Sequence, residues 1–327
     1  MEKLSIRGLW QVLKNAGGSF VKDKVPKLSA SLSYYTIFSL GPMLVVIIYL
    51  TGVFLGQQAS EGTVYEQTRQ LVGDSAALQI QDIIKNASIG DGGTIAAIIG
   101  FITLFIGATT VFGEIQDSIN TIWRLRSKPN VGIRKMLLNR LWSFSLVIGI
   151  GFLLLVSLFI NTIVEAMMKK LQDVFPGGNV MLVYIANLVV TFIVITALFS
   201  VIFKILPDAI IKWKEVMPGA MFTALLFMIG KFGITFYINK SDVGSAYGAA
   251  GSLAVLFVWV YYSAMILYFG AEFTKAYIMK FGSTIHPNSY AVVVRTVTVE
   301  DDVKTVQESC ELEEKEALST TKKSIKK

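Results

Sequence analysis

Six apolar segments, separated by polar loops, recur along the chain. A helix needs about 20 mostly apolar residues to cross about 30 Å of hydrocarbon, and each segment with its flanks reaches that length. The last segment is the sharpest, because it runs without interruption from Leu253 to Phe269 and the first carboxylate after it is Glu272. The predicted spans are Ser31–Leu55, Thr94–Phe112, Leu141–Val164, Met181–Phe203, the interval between Pro218 and Asn239, and Leu253–Phe269.

Polar segments flank these spans at both ends of the chain. Residues 1–28 alternate apolar and basic side chains, which predicts an amphipathic helix lying on the membrane interface. The alternative is a solvated leader into the first span. After Phe281 the chain becomes polar, so we divide it into a six-span membrane domain at 1–281 and a weakly ordered tail at 282–327, within which 291–299 is a candidate short strand.

Helix breakers and small residues add detail to the predicted bundle. Gly41 and Pro42 stand near the middle of the first span, where proline removes a backbone donor and predicts a kink. The Gly- and Ala-rich start of the sixth span, from Gly244 to Gly251, suits close approach of a neighbouring helix. The predicted fold class is therefore an all-α membrane protein, a six-helix bundle with an amphipathic N-terminal helix and a polar C-terminal tail.

Composition agrees with this prediction and excludes a soluble globular class. The chain is 53% hydrophobic and 16% charged, against about 25% charged in soluble domains. Its single cysteine, Cys310, excludes a disulfide framework and a cysteine-based metal site. The first apolar run is full length and lacks a cleavage site, so we expect no cleavable signal peptide.

The basic residues predict the orientation. Loops on the side of the N-terminus hold fifteen lysines and arginines before the tail, and loops on the other side hold five. Because basic loops stay in the cytoplasm, we expect both termini to be cytoplasmic. The two sets are Lys3, Arg7, Lys14, Lys22, Lys24, Lys27, Arg124, Arg126, Lys128, Arg134, Lys135, Arg140, Lys204, Lys212 and Lys214, against Arg69, Lys85, Lys169, Lys170 and Lys240.

Three blocks of sequence resemble a known family. The first is Lys27–Tyr35 with Phe38–Pro42, the second is Leu206-Pro207 with Val216–Ala220, and the third runs from Tyr247–Ser252 through Trp259–Tyr261 to Gly270–Glu272. In order and spacing, residues 10–280 resemble the YihY / virulence factor BrkB family of bacterial inner-membrane proteins. The resemblance implies six spans and a multi-pass location in the bacterial cytoplasmic membrane. Members carry the label ribonuclease BN or are described as transporters or serum-resistance factors.

The residues themselves disfavour the nuclease label. A nuclease needs metal ligands or an acid–base pair, and this chain has one histidine, His286, and no clustered-carboxylate motif. It also lacks a phosphate-binding Gly-x-x-x-x-Gly-Lys-Ser/Thr loop. We therefore expect no enzymatic activity, no cofactor, no metal and no nucleic-acid partner.

Charged residues near the inner ends of the spans form the first candidate cluster. Ionisable groups inside a membrane are costly and mark function or a pinned ion pair. We predict an inner-rim ion-pair cluster, with a structural role as the alternative to a functional one. Its members are Glu114, Asp117, Lys204, Glu272 and Lys275.

Lys231 forms the second candidate site, because it lies about 5 Å from the midpoint of the fifth span. It either snorkels to the interface or faces a polar cavity that holds an anionic solute or lipid headgroup. The candidate partners in that cavity are Asn187, Thr191, Tyr261 and Tyr262.

These features predict a protein that transports or handles an anionic or amphiphilic substrate, with the lipid bilayer and anionic lipid as its partners. The alternative is a non-catalytic membrane scaffold whose basic inner surface recruits a partner or anionic lipid.

Overall fold

The computed structural model describes residues 5–39, 93–128, 180–241 and 251–294. Helices dominate this part of the chain, and two short antiparallel β-ladders lie at one end of them. The helices are α1 (Ile6–Lys22), α2 (25–39), α3 (Gly93–Ile122), α4 (Val180–Ile205), α5 (Trp213–Ser241) and α6 (Gly251–Phe281). The strands are β1 (Leu125–Ser127), β2 (Ala209–Ile210), β3 (His286–Pro287) and β4 (Ala291–Val293).

Helix α1 is the predicted amphipathic N-terminal helix. The Ser5 hydroxyl caps it by accepting from the Gly8 amide at 3.1 Å. Its buried face, with Val12 and Ala16, packs against Phe273 and Phe281 of α6. The apolar side chains that remain exposed lie at Ile6, Trp10 and Val21. The helix therefore has one apolar face on the protein and a second one available to the membrane interface.

A two-residue turn separates α1 from α2. Asp23 is the C-cap of α1, and Lys24 has a positive φ of 54°. Pro26 then falls in the first turn of α2, where its missing N–H removes no helical hydrogen bond. The next two hydroxyls, Ser29 and Ser33, are buried and donate to backbone carbonyls one turn earlier at 2.9 and 2.7 Å.

Helices α5 and α6 are antiparallel and cross at very short range through two reciprocal glycine–threonine contacts. A Cβ added at Gly219 of α5 would lie 2.0 Å from Thr274 Oγ1, and one at Gly270 of α6 would lie 2.1 Å from Thr223 Oγ1. Each threonine hydroxyl donates at 2.7 Å to the glycine carbonyl four residues earlier on its own helix. Only glycine fits at either position without a shift of the facing threonine.

The end of α3 packs into the core, as its apolar spacing predicts. The side chains of Ile115, Ile119, Ile122 and Trp123 are all buried in one cluster with α4, α5 and α6. The Trp123 indole N–H donates to the Ala271 carbonyl at 3.2 Å, beside the α5–α6 crossing.

The two ladders attach the segment after α6 to the rest of the molecule. Strand β1 pairs with β4, and β2 pairs with β3. Residues up to Val293 therefore belong to the first compact unit, Met1–Val293, whereas the sequence pattern placed the domain boundary at 281. Backbone pairing of β3 with β2 and of β4 with β1 holds residues 286–293 in this unit, and β4 lies within the candidate strand at 291–299. A second unit comprises Val294–Lys327.

The described helices coincide with the predicted second, fourth, fifth and sixth spans and with the start of the first. Within the described residues, two stretches are long and apolar enough to cross a membrane, Leu188–Ile205 and Leu253–Phe281. The count of six spans stays a prediction. The kink at Gly41 and Pro42, the third span, the loop at 56–92 and the tail beyond 294 lie outside the described residues.

Gly219→Ala is expected to lower stability, because the added methyl group meets the side chain and backbone of Thr274. Overpacking of this kind costs about 1–3 kcal/mol. Gly233→Ala in the same helix is the matched control, since nothing lies within 4 Å of its Cβ position. Thermal unfolding in detergent should show a lower Tm for the first variant and an unchanged or higher Tm for the second. Equal values would contradict the tight crossing.

Candidate functional site

A groove with a volume of about 1010 Å³ opens between α1 and the last turns of α6. One wall is the polar side of α1 and the other is the end of α6, and Arg124, two residues after the end of α3, lies at the floor. The lining residues are Lys14, Asn15, Gly18, Ser19, Lys22, Arg124, Glu272, Lys275, Ala276, Met279, Lys280 and Gly282.

The groove is strongly basic, and we call it the basic groove. Five of the lining side chains are cationic and one is acidic. The lysines on α1 are solvent-exposed, whereas Arg124 and Lys275 are partly buried at the floor. A concave surface with this excess of positive charge attracts and holds anions.

Fixed contacts hold the floor of the basic groove. Arg124, which has a positive φ of 60°, places its guanidinium 2.5 Å from the carboxylate of Asp23, a side chain that is itself buried. The Lys275 ammonium donates to the Ile122 carbonyl at 2.5 Å and lies 3.9 Å from Glu272 Oε2. The turn after α1, the end of α3 and α6 therefore meet at the floor.

Glu272 is the acidic member of the lining. Its side chain is 1% exposed, and its Oε1 atom accepts no hydrogen bond from the described residues. Its side chain is in hydrogen-bonding contact with the carboxyl group of Asp23, the same group that binds Arg124.

Of the five residues of the predicted inner-rim cluster, Glu272 and Lys275 form an ion pair in the described structure. Glu272 and Lys275 lie together, one turn apart on α6. Lys204 donates instead to the backbone carbonyl of Ile211. On α3, Glu114 is half-buried and Asp117 is exposed.

Sequence reasoning missed both Asp23 and Arg124. Each ends a helix or follows one immediately, in a charged stretch that the topology rule already explained. The lysines of α1 that line the groove were assigned to the amphipathic helix, to the orientation and, in the scaffold alternative, to a basic inner surface.

The second predicted site is the one around Lys231, on α5. The Lys231 side chain is exposed on α5. Its neighbour Gly230 receives Tyr262, whose hydroxyl would lie 2.2 Å from an added Cβ. Tyr261 and Thr191 are half-buried on α6 and α4, and the side chain of Asn187 lies outside the described structure. The contact of Tyr262 with Gly230 is therefore one of helix packing.

Comparison with known proteins gives the family. A family profile described as virulence factor BrkB matches residues 16–289, which is most of the chain. This chain belongs to the virulence factor BrkB family. The match includes strands β1, β2 and β3 but ends before β4, and it includes every residue of the basic groove except Lys14 and Asn15.

Relatives of this BrkB-family protein are bacterial membrane proteins. A UPF0761 membrane protein of Pseudomonas paraeruginosa is 28% identical over 259 residues, covering 77% of this chain and 59% of that protein. Another from Nitrosospira multiformis is 26% identical over 255 residues, covering 77% and 57%. One from Alcanivorax borkumensis is 23% identical over 265 residues, covering 80% and 58%. The chain thus spans less than two thirds of the length of these curated relatives, and no solved structure matches it.

A second polar centre surrounds Asp208, directly after the Leu206-Pro207 block. Its buried carboxylate accepts from Gln116 Nε2 and Asn120 Nδ2 at 2.9 Å and from Ser127 Oγ at 3.1 Å. Its backbone amide donates to Asn120 Oδ1, and its carbonyl accepts from the Asn288 amide, both at 2.9 Å. This Asp208 node joins α3, β1 and the segment between β3 and β4.

Two ionisable groups near the ladders have shifted pKa values. Burial, the negative charge of Asp208 and a hydrogen bond to it raise the pKa of the Tyr290 phenol. Partial burial acts to raise the pKa of Glu215, but hydrogen bonds from Ser283 and Lys212 outweigh it and lower the pKa below its ordinary value. Tyr290 is thus held neutral beside Asp208, while Glu215 stays ionised and binds the Ser283 amide at 2.9 Å.

Asp208→Asn is expected to destabilise this end of the bundle, because an amide N–H₂ would face one of the four side chains that donate to the carboxylate, those of Gln116, Asn120, Ser127 and Tyr290. Hydrogen bonds to a charged group contribute about 1.5–3 kcal/mol each, so we expect a loss of about 3 kcal/mol. The measurements are Tm in detergent and the rate of trypsin cleavage after Arg126, which β4 protects. The control is Asp117→Asn, an exposed carboxylate on α3, which should change little. An unchanged Tm for Asp208→Asn would argue against the node.

Proposed function

We propose that this BrkB-family membrane protein handles an amphiphilic substrate with a phosphate-bearing headgroup, which it binds in the basic groove. The substrate's acyl chains stay in the bilayer while the headgroup enters between α1 and α6. Handling here means transport across the membrane or transfer within it, in the bacterial inner membrane with the groove on the cytoplasmic side. No catalytic step is part of this proposal.

The charge of the basic groove is the observation that carries the proposal. Lys14, Lys22 and Lys280 line it together with the partly buried Arg124 and Lys275. Lysine and arginine near a membrane surface each contribute about 1 kcal/mol to the binding of anionic lipid. The volume of about 1010 Å³ exceeds what an inorganic ion needs and suits a headgroup.

The placement of α1 supports a lipid rather than a soluble substrate. Trp10 and Ile6 remain exposed on α1, and tryptophan is enriched at membrane–water interfaces. A helix that lies in this interface puts its lysines at the depth of the lipid phosphates. A headgroup therefore reaches the groove without leaving the bilayer.

The groove lysines supply the test. Lys14→Ala/Lys22→Ala should weaken binding of phosphatidylglycerol about 10- to 30-fold, the effect of removing two surface cations. Lys212→Ala/Lys214→Ala is the matched control, because these exposed lysines lie near the start of α5, outside the groove. Binding is measured on the full chain in detergent by native mass spectrometry. Movement is measured by dithionite quenching of labelled lipid in proteoliposomes.

The outcomes separate transport from the scaffold alternative. Equal loss in both double variants would mean that charge alone attracts the lipid, and would overturn the groove as the site. Groove-dependent binding without lipid movement favours a scaffold, whose basic surface recruits anionic lipid. Groove-dependent binding together with movement supports transport.

The anion-site hypothesis at Lys231 stays a separate prediction. A lysine at mid-span costs about 2.5–3.5 kcal/mol on insertion scales, so Lys231→Met should raise stability. If Lys231 holds substrate, the variant loses lipid movement and Lys231→Arg keeps part of it. Since the groove is our proposed site, we expect Lys231→Met to be more stable and fully active in the proteoliposome assay. Loss of movement in a stable Lys231→Met protein would move the site to α5.

A further inference from the structure

Gly18 leaves an opening in the α1 wall of the basic groove. This glycine is exposed and lines the groove, and beyond the neighbouring backbone no heavy atom lies within 4 Å of the position that a Cβ would occupy there. A ligand in the groove can therefore approach the backbone of α1 at this point without meeting a side chain.

Four side chains that donate hydrogen bonds surround this opening. Lys14 and Lys22 lie one turn before and one turn after Gly18 on the same row of the helix, each about 6 Å away along the axis. Asn15 and Ser19 form the adjacent row, and all four line the groove. Because a lysine ammonium stands on a flexible four-carbon stem, both ammonium groups can reach one ligand at Gly18.

The uncompensated positive charge of the groove lies at the same place. Arg124 and Lys275 at the floor form ion pairs with carboxylates of the protein, and Lys280 on the opposite wall donates to a glutamine of α1. Lys14 and Lys22 form no ion pair with the described residues. Their two charges therefore remain for a ligand.

We propose that the opening at Gly18 binds a phosphomonoester, so that the basic groove selects a lipid with a terminal phosphate over one with a phosphodiester. A terminal phosphate carries a charge of about −1.5 to −2 at pH 7 and has three acceptor oxygens. These match two ammonium groups and the neighbouring amide and hydroxyl donors. A phosphodiester has a single negative charge and fewer free oxygens. This inference rests on the proposed function and deepens it by naming the ligand class.

The test compares two lipids with the same acyl chains. Phosphatidic acid ends in a phosphomonoester, and phosphatidylmethanol is its methyl ester, a phosphodiester of nearly the same size. Wild-type protein should bind phosphatidic acid about tenfold more tightly, the effect of one further charge-assisted hydrogen bond. Native mass spectrometry of the full chain in detergent, above pH 7, measures both affinities. Equal affinities would overturn the proposal.

Substitutions at Gly18 separate a shaped phosphate site from simple attraction between charges, because they fill space and leave every charge in place. Gly18→Ala should reduce the preference for phosphatidic acid, and Gly18→Leu should abolish it while both lipids still bind. Gly17→Ala is the matched control and should keep the preference, since this glycine has the same open Cβ position but does not line the groove.

Folding of α1 does not confound these variants, because alanine and leucine both favour a helix over glycine. A Gly18→Leu protein that keeps the tenfold preference would show that charge alone decides, and would overturn the phosphate site at Gly18.

Glycerol 3-phosphate distinguishes a lipid from a water-soluble ligand, because it carries the same phosphomonoester without acyl chains. A large excess of it should leave phosphatidic acid bound. Displacement at equal concentration would assign the groove to a soluble phosphate ester and overturn the proposed function, as would a wild-type protein that binds neither lipid. If both lipids bind through Lys14 and Lys22 with equal affinity, only the selection at Gly18 is wrong.

Discussion

The close crossing of α5 and α6 is the constraint on which the rest of the described structure depends. Apolar side chains gain little from packing against each other in lipid, so close backbone contact must hold such helices together. Here the contact is reciprocal: Gly219 receives Thr274, and Gly270 receives Thr223. Two contacts fix both the separation of the helices and their register.

The register of α5 and α6 sets the position of Glu272 in the basic groove. Glu272 lies between Gly270 and Thr274, so the crossing determines the depth and direction of the one carboxylate in the basic groove. The same turns of α6 present Ala271 to Trp123 and Phe273 to α1. Core packing and the candidate site therefore share one short segment, and a change in either affects the other.

The parts of this arrangement with a periodic signal could be predicted from the sequence. The apolar face of Ile115, Ile119 and Ile122 follows helical spacing, and the amphipathic N-terminal helix follows from its alternation. The Asp208 node and the Asp23–Arg124 pair could not be predicted, because single polar residues in turns meet only after distant segments come together. Of the four strands only β4 was expected, within the candidate strand at 291–299, because strands of two or three residues leave almost no pattern.

The hydrogen bond from Lys275 to the Ile122 carbonyl caps the C-terminus of α3 with a side chain from another helix, α6. Ile122 is the last residue of α3, where unpaired carbonyls give the helix dipole its negative end, and a cation from α6 neutralises it. Separating α3 from α6 would uncover that end inside the protein. The ends of α3 and α6 are therefore held together at the floor of the groove, and the Asp23–Arg124 ion pair holds the end of α1 there as well.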